Sequence, residues 1–355
     1  MRTITSYNAM RFPCYVLVES TTLTTHQTTS ESMPAAHTPP QRSRLGAWAQ
    51  LVRLPNVFTV LADVSAAFLL VHHGPSPAIR FILIILAGVA LYWAGMILND
   101  VFDVDQDRAQ RPQRPIPSGL ISPRQAKAAG WILLLAGIGI AAISGHAPAG
   151  DAPITWLPAL VAIALAIMII AYDGPLKKTP LAPVAMGSCR VLSFLLGASP
   201  CFAIAMGTPL FEKYLLGIAV GFGVYIMGIT TMARREAEGG PSSNLQIGLV
   251  VTTLGALMLA FAPQLDANRA GWALPVNGTF PMMIAAISFP VVLRGFRAVR
   301  EPTPVKIQTT IRIGIFTIIP LAASYAFLGA GPWWGLGLFS LTIPSLYFSL
   351  KFRVT

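Results

Sequence analysis

The sequence predicts an all-α fold: a polytopic transmembrane helix bundle of nine or ten helices, with a polar cavity that faces the cytoplasm. Three observations carry that prediction. Of 355 residues, 54% are hydrophobic and only 11% charged, whereas soluble domains carry about a quarter charged residues. The apolar residues gather into runs of about 20, the length at which a helix crosses a bilayer. The basic residues, which leave a net charge of +11, lie between those runs and almost entirely on one side of them.

In chain order, residues 1–44 are rich in Ser, Thr, Pro and Gln. That composition cannot bury a core and is expected to be a disordered tail. It lacks the long apolar region and small-residue cleavage site of a signal peptide, and Met33 is an alternative start. The rest, residues 45–355, is expected to form one transmembrane domain. LGAWAQLVRL, Leu45 to Leu54, has the character of a short interfacial helix. Spans are then expected near 55–72, 78–100, 127–146, 152–172, 184–206, 213–232, 245–263, 275–293, 310–329 and 333–350. The last of these contains or adjoins two prolines.

Charge gives an independent test of that order. With ten spans, one side receives Arg42, Arg44, Arg53, Arg108, Arg111, Arg114, Arg124 and Lys127. The same side takes Lys177, Lys178, Arg234, Arg235, Arg294, Arg297, Arg300, Lys306, Lys351 and Arg353. The other side receives only Arg80, Lys213 and Arg269. The positive side is the cytoplasm, so a chain of ten spans has both termini there, in the cytoplasmic membrane. With nine, Lys351 and Arg353 change sides, and the bias favours ten.

Other functional classes find little support. A basic chain can bind nucleic acid, but no basic stripe with interleaved aromatics is present. Cys189 and Cys201 are twelve residues apart on one apolar run, roughly 18 Å along a helix and beyond disulfide reach. The five histidines show no metal-ligand spacing.

Chemistry is concentrated in LNDVFDVDQDRAQRPQRPIPSGLIS, residues 98–122. Asn99, Asp103 and Asp107 recur every four residues and so share one helix face. Asp100 lies close to that face, and Asp105 points elsewhere. Of 14 acidic residues in the chain, four fall within these eight positions. Clustered carboxylates repel one another unless a cation sits among them. Hard oxygen ligands with room for water suit Mg²⁺ bridging to substrate phosphates, and Arg108, Arg111 and Arg114 follow at once, as an anionic substrate requires.

N-D-x-x-D-x-x-x-D followed by R-P-x-R-P-x-x-S-G resembles the first aspartate-rich motif of the UbiA superfamily of membrane prenyltransferases. The resemblance extends over roughly residues 50–330. RLPNVFTVLADV is similar to the superfamily's opening helix, with Arg53 and Asn56 in its polar positions; Asn56 is read either as a substrate contact or as a packing amide. AYDGPLKKTPLAPVAMGSCR, residues 171–190, matches a Tyr-Pro…Lys-Arg segment through Tyr172, Lys177 and Lys178. The resemblance implies that Asn99, Asp100, Asp103 and Asp107 bind Mg²⁺, with Asp103 and Asp107 central to catalysis. Arg111, Arg114 and Lys177 or Lys178 would then hold a prenyl diphosphate. Its C–O bond ionises, and the allylic cation alkylates a small-molecule acceptor that the sequence does not identify. Arg190 falls inside a span, where a charge is usually paired or functional. Its expected partner is Asp173 or the Asp100–Asp107 cluster.

The chain departs from the superfamily in its third loop. The usual second aspartate-rich motif is replaced by GITTMARREAEGGPSS, residues 228–243, which contains no aspartate. Together with YDGPLKKTPLAPVAMG, this form is similar to the EboC-like branch. Glu236 either supplies one ligand or pairs with an arginine. Arg234 and Arg235 are expected to take over part of the diphosphate clamp, and the acceptor is expected not to be a hydroxybenzoate or quinone precursor. Two other readings stay open: a transporter or flippase that binds a polyprenyl phosphate without chemistry, and a non-catalytic family member. The charges lie at the interface, and the sequence shows no internal repeat of the kind transporters carry.

Overall fold

The computed structural model describes residues 43–351, apart from 149, 151–153, 206, 208, 239–242 and 267–270. Residues 1–42 of the expected tail, with Met33 and Arg42, lie outside the described residues, as do Arg269, Arg353 and the side chains of Arg235, Glu236 and Glu238. The described residues form helices and connecting turns, with no strand among them. Helix α1 (Arg44–Leu51) starts where the Ser43 hydroxyl accepts a hydrogen bond from the Gly46 amide at 3.2 Å, satisfying one free donor of the first turn. Then come α2 (Leu54–His72), α3 (Ala78–Phe102), α4 (Val104–Gln110), α5 (Pro123–His146) and α6 (Leu157–Ala171). A π-helical turn, Tyr172–Leu176, extends α6. The second half comprises α7 (Ala182–Ala198), α8 (Lys213–Glu238), α9 (Ser243–Phe261), α10 (Thr279–Arg300), α11 (Pro304–Phe316), α12 (Ile318–Ala330), α13 (Pro332–Ser340) and α14 (Thr342–Lys351).

Among the described residues, nine helices are long and apolar enough to cross a membrane, α6 counting with its π-helical turn and α11 with α12 as single spans. The apolar stretch expected as a tenth span is instead two short helices, α13 and α14, broken at Leu341. Helix α14 lies against α2, where Phe58 and Phe348 stack with ring centroids 6.0 Å apart.

Helix α2 is the most enclosed span, packed on α12, α7, α3 and α14. Around it run the neighbouring pairs α3–α5, α7–α8, α8–α9 and α9–α10. Small residues set these distances, since without a hydrophobic force between helices in lipid, close backbone packing drives association. A Cβ added at Gly197 of α7 would lie 2.2 Å from the carbonyl oxygen of Val64 on α2. The outward faces remain apolar, with Ile132, Leu135, Val250 and Trp333 all more than 60% exposed. So large an apolar exterior suits lipid rather than water. The chain is therefore an integral, multi-pass membrane protein.

Arg80 differs from expectation. Counted from the sequence among the charges on the side opposite the cytoplasm, it is buried and donates to the carbonyls of Ala147 at 3.1 Å and Pro200 at 3.0 Å. It ties the start of α3 to the chain just beyond α5 and α7, where those carbonyls would otherwise lack donors.

The α2–α7 approach yields a test. Gly197→Ala should destabilise the purified protein by about 1–3 kcal/mol, the usual cost of overpacking. Gly139→Ala, where a Cβ meets nothing within 4 Å, should be neutral or slightly stabilising. Thermal unfolding in detergent compares the two, and equal midpoints would contradict the close packing.

Candidate active site

The motif at the end of α3 is placed by a kink that keeps its register. Helix α3 ends at Phe102, and Asp103 leaves helical geometry with φ −89° and ψ 4°. Even so, the Asp103 amide donates to the Asn99 carbonyl at 3.1 Å and the Asp107 amide to the Asp103 carbonyl at 2.8 Å. The four-residue spacing therefore survives into α4. After α4 the R-P-x-R-P segment folds back, anchored by Ile116 and Ile121. These two are buried beside Leu51 of α1 and Ile97 of α3.

That return places Arg114 between two carboxylates. Its guanidinium donates to Asp107 at 2.7 Å and to Asp100 at 3.3 Å. Arg53 reaches Asp100 from the opposite side at 3.4 Å. Arg53 joins α1 to α2 with φ +47°, a left-handed backbone that a non-glycine residue rarely adopts. From the α6 side, Lys177 donates to both Asn99 Oδ1 and Asp103 Oδ2. Asp105 points away, exposed and paired with Arg108 at 2.8 Å. Asp100 and Asp107, which are buried, and the partly exposed Asp103 thus each face a cation, which offsets the cost of taking a carboxylate out of water.

Beneath this mouth lies a cavity of about 370 Å³. Its lining includes Arg53, Asn56, Asn99, Tyr172 and Asp173 and is otherwise mostly apolar, with Leu165, Ile229, Ile311, Ile315 and Ile318 among the residues. Arg190 and Ser193 of α7 also line it. Arg190 pairs with Asp63 of α2, not with Asp173 or the Asp100–Asp107 cluster, and donates to the Thr59 hydroxyl at 3.1 Å. Ser193 adds a donor to Asp63 at 3.3 Å. The reason is geometric. Asp63 lies ten residues beyond Arg53 on α2, roughly 15 Å deeper, where α2 and α7 touch. A lone acid inside an apolar span was the available signal for it.

Other expected residues scatter. Arg111 and Lys178 are exposed, and neither forms an ion pair among the described residues. Arg234 donates to the Thr179 carbonyl at 2.8 Å, which seats it against the loop that carries Lys177. Asn56 and Tyr172 line the cavity as expected.

The donor set fits Mg²⁺ of the kind that keeps water and phosphate ligands. Among the described residues, no three His, Cys, Asp or Glu side chains converge as a ready cage. However, Mg²⁺ is usually held by one or two carboxylates together with substrate phosphates. The Lys177 ammonium already bridges Asn99 and Asp103, so this pair of oxygens accepts a cation between them.

Comparison with known proteins then decides the family. The sequence profile of the UbiA prenyltransferase family matches residues 59–308. The chain belongs to that family. It is similar to the digeranylgeranylglyceryl phosphate synthase of Methanobrevibacter smithii, 33% identical over 177 residues, which cover 48% of this chain and 56% of that protein. The synthase of Methanothermobacter thermautotrophicus is 29% identical over 265 residues, covering 68% of this chain and 84% of the relative. For several of the curated relatives it matches, the alignment spans only about half to two thirds of their length. In fold, the chain is similar to a digeranylgeranylglyceryl phosphate synthase structure (TM-score 0.57, 19% identity, 81% of this chain and 99% of that one). It also resembles a UbiA homologue from Archaeoglobus fulgidus bound to GPP and Mg²⁺ (TM-score 0.53, 16% identity, 83% and 99%).

The family bundle here contains an ion pair that can be tested by itself. Asp63→Leu alone leaves Arg190 uncompensated and should destabilise by about 3–5 kcal/mol. Asp63→Leu combined with Arg190→Met should recover much of that loss. Equal melting temperatures for the single and double variants would contradict the pairing.

Proposed function

We propose that this UbiA family member is a Mg²⁺-dependent prenyltransferase that moves an isoprenyl group from a prenyl diphosphate to an acceptor within the membrane. The observation that carries this reading is the junction of two environments: a mouth of paired acids and bases opening on an apolar cavity. The mouth suits a metal-bound diphosphate and the cavity an isoprenoid tail. Family membership and the relatives named as prenyl-transferring synthases support it. The charge bias supports a mouth on the cytoplasmic side of the cytoplasmic membrane.

Asn99 and Asp103, with Asp100 and Asp107 beside them, would hold the ion. Bound there, Mg²⁺ would neutralise charge on the departing diphosphate. Arg114 and Lys177, now engaged with these carboxylates, would turn to diphosphate oxygens as the carboxylates take up the ion. Arg234, on the far side of the Lys177 loop, adds a direct cation where the usual second acidic motif is missing. No aspartate occurs between Tyr225 and Ser243, so one metal rather than two is the natural count. The isoleucine-rich lining keeps water from the allylic cation. The acceptor lies outside the hydroxybenzoates and quinone precursors. The relatives' name describes a product with two geranylgeranyl groups on glyceryl phosphate, so a prenylated glyceryl phosphate is a candidate acceptor.

Calorimetric titration with geranylgeranyl diphosphate and Mg²⁺ tests the site. Asp103→Ala and Asp107→Ala should each abolish Mg²⁺-dependent binding while the protein still folds and inserts. Wild-type affinity in both variants would overturn the metal-site assignment.

A further inference from the structure

One carboxylate at the cavity stands apart from the rest. Asp100, Asp103 and Asp107 each pair with Arg or Lys, and Asp63 pairs with Arg190. Asp173 is 6% exposed and lines the cavity beside Tyr172 and Asn99. Its side chain nevertheless makes no hydrogen bond or ion pair with a described residue. The charged groups that face it are Lys177 and Arg53, with Asp103 and Asp100 beyond. Lys177 is committed to Asn99 and Asp103, and Arg53 to Asp100.

The local backbone explains how it comes to be there. Asp173 sits in the π-helical turn, which contains Pro175. Such turns are rare and often found at functional sites. Its carboxylate therefore opens on the cavity with no protein donor, and a carboxylate in so enclosed a place is stabilised by any donor that reaches it. A hydroxyl arriving with the substrate would supply that donor.

We propose that Asp173 is the proton acceptor for the acceptor's nucleophile, and that this nucleophile is a hydroxyl group. The assignment rests on the prenyl-transfer reading above and deepens it. The C1–O bond of the prenyl diphosphate breaks, and its electron pair leaves with the diphosphate. A lone pair of the acceptor hydroxyl forms the new C–O bond to the allylic carbon. The hydroxyl proton passes to a carboxylate oxygen of Asp173, leaving a neutral ether. The other mouth carboxylates cannot serve as readily, because each already holds a cation.

The test uses full-length purified protein, Mg²⁺ and labelled geranylgeranyl diphosphate, with a total lipid extract of the source cells supplying the acceptor. Asp173→Asn preserves shape but removes the base. It should bind Mg²⁺ and geranylgeranyl diphosphate within about threefold of wild type while kcat for labelled lipid formation falls at least about 100-fold, the scale of lost proton transfer. KM should change little, and Asp173→Glu should restore part of kcat. The wild-type product should be an ether, stable to alkali. Near-wild-type kcat in Asp173→Asn would overturn the assignment, as would a matching loss of diphosphate binding, which marks a ligand or clamp instead. A carbon-prenylated product would overturn the hydroxyl assignment. Wild-type protein that binds the diphosphate but forms no labelled lipid overturns the prenyltransferase reading itself, so the two failures are distinguishable.

Discussion

The polar mouth depends on one constraint: a carboxylate taken out of water is costly unless it faces a cation. Removing one partner of such a pair leaves a charge whose desolvation costs several kcal/mol. Here α3 and α4 supply Asp100, Asp103 and Asp107, and three different segments answer them. Arg53 comes from the α1–α2 junction, Arg114 from the returning loop, and Lys177 from the end of α6. The acids therefore do more than line a face. They draw the α1–α2 junction, the loop after α4 and the end of α6 onto the end of α3, and so close the rim of the cavity.

The same constraint explains why the mouth is suited to a charged ligand that comes and goes. Lys177 and Arg114 currently satisfy the acids, and a divalent ion would do so equally well. Exchange of one cation for another keeps the carboxylates compensated throughout. It also frees two basic side chains at the place where diphosphate oxygens would lie. In a site of low dielectric such directed charges act more strongly than in water.

Much of this was legible in the sequence, for identifiable reasons. Apolar runs of about 20 residues located the spans, because a bilayer fixes their length. The four-residue spacing of Asn99, Asp103 and Asp107 survived the kink at Asp103, because the backbone hydrogen bonds bridge it. Where the reading fell short, the missing information was three-dimensional. Which acid answers Arg190 depends on the packing of α2 against α7, and Asp63 is far from Arg190 in sequence. Burial of Arg80 depends on free carbonyls beyond α5 and α7, which composition does not reveal. The last apolar stretch held enough residues to span, yet a break at Leu341 divides it. Asp173 was read only as a candidate partner for Arg190, because only the folded cavity shows that its side chain has no partner among the described residues.

The central claim is that the paired mouth and the apolar cavity act together on a prenyl diphosphate. Consumption of labelled geranylgeranyl diphosphate by the purified protein, with Mg²⁺ and then with excess chelator, measures this directly. Diphosphate release that requires Mg²⁺ and saturates as a single metal site is the predicted result. Tight binding of the diphosphate with no release at any Mg²⁺ concentration would contradict the account, and would describe a protein that carries the lipid without transforming it.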